Sequence, residues 1–242
     1  MPTKITFELS PEGLSLNMGS LFHGYLMDII DTYYAEYLHY NGTNPYTSCI
    51  FQDYRSKKFY WRITTFNKEA YENLIIPFLE NNPSEITLAH RSRQVLIKGF
   101  QLHTCDYEEL YLNAERTPKI RLLTPTSFKS QGVTHIFPDI STLLQGVINK
   151  INTHSDNFKF QDEECIQELL QKTYIRDYNL RTSNFSLEGI KIKGFVGTIQ
   201  PAVGDEALLP LLNFILAVSE YTGFGIKTAL GMGAVKCEWN KI

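Results

Sequence analysis

The sequence predicts an α+β protein built as two halves, residues 1–112 and 113–242, each running in the order β-α-β-β-α-β. Three observations lead there. Stretches that alternate apolar and polar residues, as strands do, are interleaved with stretches whose apolar residues recur three and four apart, as helices require, and this order repeats once along the chain. Between the two runs, residues 106–116 are acidic and irregular, which suits a domain boundary. The chain closes on a glycine-rich segment that follows a helix rather than a strand.

Residues 4–8 alternate like a strand, and residues 20–38 read as one helix. Residues 49–54 and 59–65 read as paired strands around a basic turn. Residues 67–79 read as a helix with Asn67 as N-cap, because a short side-chain carbonyl there accepts from an otherwise unpaired amide. Residues 88–102 supply one or two further strands, which completes the ferredoxin-like order. The second half opens with a strand at 119–124 and continues with helices at 139–152 and 162–172, split by a polar stretch. Strands at 176–182 and 185–199, a helix at 205–220 and a strand at 234–239 finish it. The second half carries one helix more than the first, and the halves share element order without sharing sequence.

Hydrophobic residues make up 43% and charged residues 20%, the composition of an ordinary globular protein. No apolar run approaches the ~20 residues a membrane span needs. The first ten residues read as a strand rather than a leader, so a cytoplasmic protein without membrane partners is expected. Cys49, Cys105, Cys165 and Cys237 are scattered, which argues against a zinc site or a disulfide framework, and no metal or other cofactor is expected. The net charge of −3 speaks against a nucleic-acid binder, but the charges are segregated. Residues 5–54 hold six acids and no Lys or Arg. Arg55, Lys57, Lys58, Arg62 and Lys68 then follow without an acid between them. Two later acid-free stretches carry Arg91, Arg93 and Lys98, then Arg116, Lys119, Arg121 and Lys129. Such segregation builds either a basic surface or merely solvated faces.

Gly223, Gly225, Gly231 and Gly233 form two G-x-G pairs around Lys227. A dinucleotide-binding fingerprint needs a strand before its glycines and a helix after them, and here that order is reversed. A phosphate-binding P-loop needs G-x-x-x-x-G-K-[ST], which the segment does not supply. A helix C-cap and a tight turn account for one or two of the four glycines. Four together imply positive φ or close approach by something large, and bare amides beside one lysine suit a polyanion backbone.

This glycine pattern just before the C-terminus resembles the signature of the CRISPR-associated endoribonucleases that cut repeat RNA into guide RNAs (the Cas six family of the RAMP superfamily). Further segments carry the resemblance, which runs from about residue 3 to residue 240. Residues 21–28 (LFHGYLMD) look like the family's first helix. Glu36-Tyr-Leu-His39, followed by Thr43-Asn-Pro-Tyr46, looks like its catalytic segment. Residues 124–132 and 136–139 look like the opening of its second domain. Together they are most similar to the branch serving type III-A (Csm) systems. The resemblance implies tandem ferredoxin-like domains and a precursor CRISPR repeat RNA as substrate, with a type III-A effector complex as a transient partner.

Cleavage by attack of the RNA's own 2′-hydroxyl needs no metal. It needs a base for the 2′ proton, an acid for the 5′-oxygen and a stabiliser of the phosphorane-like transition state, and histidine suits the first two tasks. On one continuous helix Phe22, Leu26, Ile29, Tyr33 and Tyr37 share a core-facing stripe, which leaves His39 exposed in the last turn. The macrodipole favours a protonated ring there, so on the residues alone His39 is either a charge complement or an acid–base catalyst. The resemblance places the catalytic histidine in this Tyr-Leu-His segment. His23 is the second candidate, catalytic or structural, but on one helix it lies sixteen residues, or about 24 Å, from His39. Some family members carry a tyrosine on the catalytic face of the first helix and a lysine soon after the histidine. Met27 and Asn44-Pro45 stand at those positions here, so a transition-state cation has to come from elsewhere. Lys129 is the candidate and Tyr46 a weaker one. Arg91, Arg93, Lys191, Lys193, Lys227 and the four glycines are the expected RNA path, with Lys191 and Lys193 on one face of a strand. The departures at Met27 and Asn44 also fit an alternative, a non-catalytic RAMP subunit that only binds guide RNA.

Overall fold

A computed structural model describes residues 1–40, 42–88, 93–111, 116–187 and 189–239. The first half contains β1 (Thr3–Leu9), α1 (Gly19–Ile29), α2 (Thr32–Tyr40), β2 (Tyr46–Gln52) and β3 (Phe59–Thr65). There follow α3 (Lys68–Ala70), which runs through a π turn at Tyr71–Ile75 into α4 (Ile76–Asn81), then β4 (Glu85–Leu88) and β5 (Arg93–Thr104). Its sheet is antiparallel in the order β2-β3-β1-β5-β4. Ile5, Phe7 and Leu9 of β1 are buried while the residues between them are half-exposed, the alternation of a sheet covered on one face. Phe22 of α1 packs edge-on against Trp61, with ring centres 5.1 Å apart. Asn67 caps α3 as its sequence position predicts, its Oδ1 accepting from the Ala70 amide at 2.8 Å.

The second half contains β6 (Lys119–Thr126), a hairpin of β7 (Phe128–Ser130) and β8 (Val133–His135), α5 (Ile140–His154) and α6 (Glu163–Lys172). It continues with β9 (Thr173–Leu187), β10 (Ile190–Val203), α7 (Leu209–Thr222) and β11 (Val235–Glu238). The sheet order is β11-β6-β10-β9. In both halves the first strand lies inside the sheet, flanked by the third and last strands of the β-α-β-β-α-β order. The fold is therefore the α+β arrangement of two ferredoxin-like sheets with helices. The expected boundary between 112 and 113 falls on residues outside those described. The last strand of the first sheet ends at Thr104 and the first strand of the second begins at Lys119. Among the described residues no helix is long and apolar enough to cross a membrane.

Three expectations change. The turn placed between residues 182 and 185 does not exist, because Ser183 and Asn184 pair with Gly194 and Lys193 inside the β9–β10 ladder, and the chain reverses only near Gly189 at φ +84°. Polar residues that favour turns were here placed on an exposed strand. The hairpin β7–β8 was unforeseen, its turn made by Gln131 and Gly132, both at positive φ. Most consequentially, the single helix over residues 20–38 is two helices. Ile30 is extended (φ −95°, ψ 169°), and the Asp31 carboxylate accepts from the amides of Tyr33 (2.9 Å) and Tyr34 (3.1 Å), which starts a new helix. The break resets the phase. The second helix buries Tyr34, Ala35 and Leu38, while Tyr33 and Tyr37, expected in the core, are 83% and 50% exposed.

Candidate active site

The break between α1 and α2 folds the end of α2 back over the start of α1. His23 and His39, expected about 24 Å apart on one helix, have ring centres 6.3 Å apart and meet edge to face. His39 is exposed in the last turn of α2, as expected, although the reason is the reset phase rather than the stripe drawn through both segments. His23 is half-buried, and its Nε2 lies 2.9 Å from the Tyr46 hydroxyl at the start of β2. Tyr46 is buried, which raises its hydroxyl pKa, so it remains a neutral partner that fixes the His23 ring.

Burial, with a smaller contribution from neighbouring His39, lowers the His23 pKa from 6.5 to about 4. Of two adjacent imidazoles, burial thus keeps His23 neutral. This carries a stability consequence. Between pH 6.5 and about 4 the unfolded chain holds a proton on residue 23 that the folded chain does not. The His23 contribution is therefore complete above pH 6.5 and falls as pH drops, by up to about 3 kcal/mol. His154, also lowered by burial, acts in the same direction. Urea unfolding at pH 7.5 and pH 4.5 should show a smaller pH-dependent loss for His23→Gln than for wild type. Equal losses would mean that the ring is not desolvated.

The loop after α2 is tied to the second half of the chain. Thr43 Oγ1 lies 2.9 Å from His154 Nε2 at the end of α5, and the Phe66 amide donates to the Pro45 carbonyl at 2.9 Å. His154 had no distinguishing sequence context, and its role as an anchor is visible only in three dimensions. Met27 is half-buried against the core of the first sheet.

The glycine segment sits against α1 and β2, its 3-10 turn at Thr228–Leu230 packing on both. Part of its row of amides is taken up within the protein. The Phe224, Ile226 and Gly233 amides donate to the carbonyls of Gly233, Ser127 and Pro125, at 2.8, 3.0 and 3.0 Å, and the Gly223 amide caps α7 by donating to Ser219. A Cβ on Gly225 would collide with the Ser127 carbonyl, and one on Gly233 with that of Phe224. The close approach that demands glycine is thus made by the protein's own backbone. Lys150 supports the turn from α5, donating to the Thr222 carbonyl (2.8 Å) and to Thr228 Oγ1 (3.1 Å), and burial lowers its pKa to about 7. Lys227 itself is exposed, in the left-handed region at φ +55°.

The other predicted basic residues lie on several elements, and Ile192, between Lys191 and Lys193, packs with Leu230 and Met232 of the glycine segment. Lys129, on β7, is exposed and lines a cleft with Gly225 and Ile226, and no residue of α1, α2 or β2 lines that cleft. Lys191 and Lys193 are exposed on β10, alternating as expected. Arg93 donates to the Gly13 carbonyl, and Arg91 lies outside the described residues. Three members of the acid-free runs are taken up by partners within the protein. Arg62 is buried and donates to the Val235 carbonyl at 3.1 Å, Lys58 pairs with Glu8 at 2.9 Å, and Arg121 pairs with Glu238 at 2.7 Å. Antiparallel pairing brings acids from distant segments against them. Among the described residues no three His, Cys, Asp or Glu side chains gather closely enough to hold a metal ion.

The family model of CRISPR-associated endoribonuclease Cas6 matches residues 120–235. A CRISPR-associated endoribonuclease Cas6 of Streptococcus thermophilus is 28% identical over 223 residues, covering 91% of both chains. One of Mycobacterium tuberculosis is 25% identical over 227 residues, covering 91% of this chain and 72% of the relative. Among solved structures, a Cas6 product complex superposes with TM-score 0.81 at 22% identity, covering 99% of this chain and 100% of that one. Thermus thermophilus Cas6 superposes with TM-score 0.71 at 22% identity, covering 98% of each.

Proposed function

Because the chain belongs to the Cas6 family of CRISPR-associated endoribonucleases, we propose that it cuts precursor CRISPR RNA within each repeat by metal-independent attack of the RNA's own 2′-hydroxyl. The upstream fragment then ends in a 2′,3′-cyclic phosphate and the downstream fragment begins with a 5′-hydroxyl. The observation that carries this reading is the exposed imidazole of His39 beside the half-buried, neutral imidazole of His23.

His39 is the general acid–base group. It is open to a substrate, and because its neighbour is neutral it can take or give a proton without a second cation 6.3 Å away. His23 is the second imidazole, its ring oriented by Tyr46. Buried Tyr46 acts through His23 rather than on the phosphate itself. Lys227, Lys191, Lys193 and Arg93 contact RNA phosphates, and the four glycines shape the segment that carries Lys227. Lys129 contacts RNA in its own cleft. Precursor repeat RNA is the partner, and the type III-A branch, with transient contact to its effector complex, rests on the sequence segments around His39 and residues 124–139. The two halves, 1–112 and 113–242, act as one unit on the RNA.

Incubation of the protein with its own locus's repeat RNA in EDTA tests the proposal. A single cut per repeat, with cyclic phosphate and 5′-hydroxyl ends, is expected. Tight binding without cutting would instead select the non-catalytic RAMP subunit that Met27 and Asn44 suggest.

A further inference from the structure

The geometry points to the cleft between α5, α6 and the β7–β8 hairpin as the place where bases of the repeat close to the cut are read, an inference that rests on the repeat-cleaving function proposed above. The cleft has a volume of about 680 Å³. Four amide side chains line it, Gln145 and Asn149 from α5 and Gln167 and Gln171 from α6, beside the hydroxyls of Ser141, Thr142 and Thr173. Lys129 and Ile226 also line it, and among the described residues no Asp or Glu does.

Each feature suits a base rather than a phosphate or a peptide cation. Amides offer donor and acceptor together, the pattern that base edges match in bidentate pairs. Gln145 Nε2 donates to Asn149 Oδ1 at 2.8 Å. That bond uses one group of each amide and leaves the Gln145 carbonyl oxygen as an acceptor and the Asn149 amino group as a donor, and flipping both amides only exchanges the two. Gln167 and Gln171 lie four residues apart on α6, both exposed, so they face the same side. Lys129 supplies one cation at the cleft, and Ile226 supplies an apolar surface for a base face.

Position supplies the second line of argument. α5 connects the cleft to the catalytic loop. Gln145 lies nine residues, about 14 Å of helix axis, before His154. His154 is bonded to Thr43, four residues beyond His39. RNA held at His39 and running along α5 reaches the amides within a few nucleotides. Gly225, at the same cleft, belongs to the segment that packs on α1 and β2, so cleft and imidazoles share one rigid support.

The test compares wild type with the double variant Gln145→Ala/Gln171→Ala on a panel of repeat RNAs, each carrying one base change near the cut. Equilibrium binding and single-turnover cutting are both read. Wild type should disfavour changes at a few adjacent positions by about tenfold to a hundredfold. The variant should lose discrimination at those positions alone, with the salt dependence of binding unchanged. Gln145→Glu, which keeps the side chain's shape, should weaken binding of the whole panel without moving the melting temperature. The inference is overturned if the double variant discriminates as wild type does. It is equally overturned if the variant weakens all repeats uniformly with a shallower salt dependence, the mark of phosphate contact only, or if it loses a protein partner while reading RNA normally. A wild type that binds the repeats but cuts none rejects the proposed cleavage, while the binding panel still decides the cleft.

Discussion

His39→Ala should lower the single-turnover rate of repeat cleavage by about 10²–10⁴-fold, the range for a positioned acid–base group. Repeat affinity should change little, because the ring contributes proton transfer rather than backbone contact. The split between rate and affinity is what marks catalysis here. A merely structural histidine at a helix end contributes about 0.3–1 kcal/mol of dipole complement, and its loss would leave the rate nearly unchanged. His23→Ala should fall between these limits, since it removes the second imidazole and leaves the Tyr46 hydroxyl without its partner. An unchanged rate in His39→Ala would remove that residue from the mechanism.

The second large effect is on stability. Gly225→Ala and Gly233→Ala should each lose about 3 kcal/mol or more, combining left-handed backbone strain with a clash that a packed core cannot relieve. Both residues have positive φ (+75° and +70°), and in each case the obstructing atom is a backbone carbonyl oxygen, which cannot rotate away as a side chain can. Gly42, with open space where its Cβ would lie, is the control and should shift by no more than about 0.5 kcal/mol when replaced by Ala. Urea midpoints of the three variants decide the matter. If Gly225→Ala keeps the wild-type midpoint, the glycines are not there to let the backbone close on itself.

Most of the fold could be read from the sequence because most of its elements are locally consistent. The alternation in β1, the Asn67 cap and the apolar spacing of α5 and α7 each announce their own geometry. What misled was continuity. Residues 20–38 keep a helical apolar period across Ile30, and only the capping capacity of Asp31, behind two β-branched residues, hints at the break. Because of that one residue the two histidines were placed far apart when they are neighbours. The glycine segment misled in the opposite way. Its composition announced close approach, but not whether a ligand or the chain itself makes that approach, and the Ser127 and Phe224 carbonyls answer only once the sheets are assembled. Charge along the chain is modified in a related way, since strand pairing sets Glu8 against Lys58 and Glu238 against Arg121.

The central claim, that the substrate supplies its own nucleophile and the protein only moves protons around it, is tested most directly by a repeat RNA carrying a single 2′-deoxy nucleotide on the 5′ side of the cut. In EDTA, this RNA should bind like the natural repeat and remain whole, while the natural repeat is cut to a cyclic phosphate. Cutting of the deoxy repeat at the normal rate would show that water or another group attacks the phosphorus, and would contradict the account.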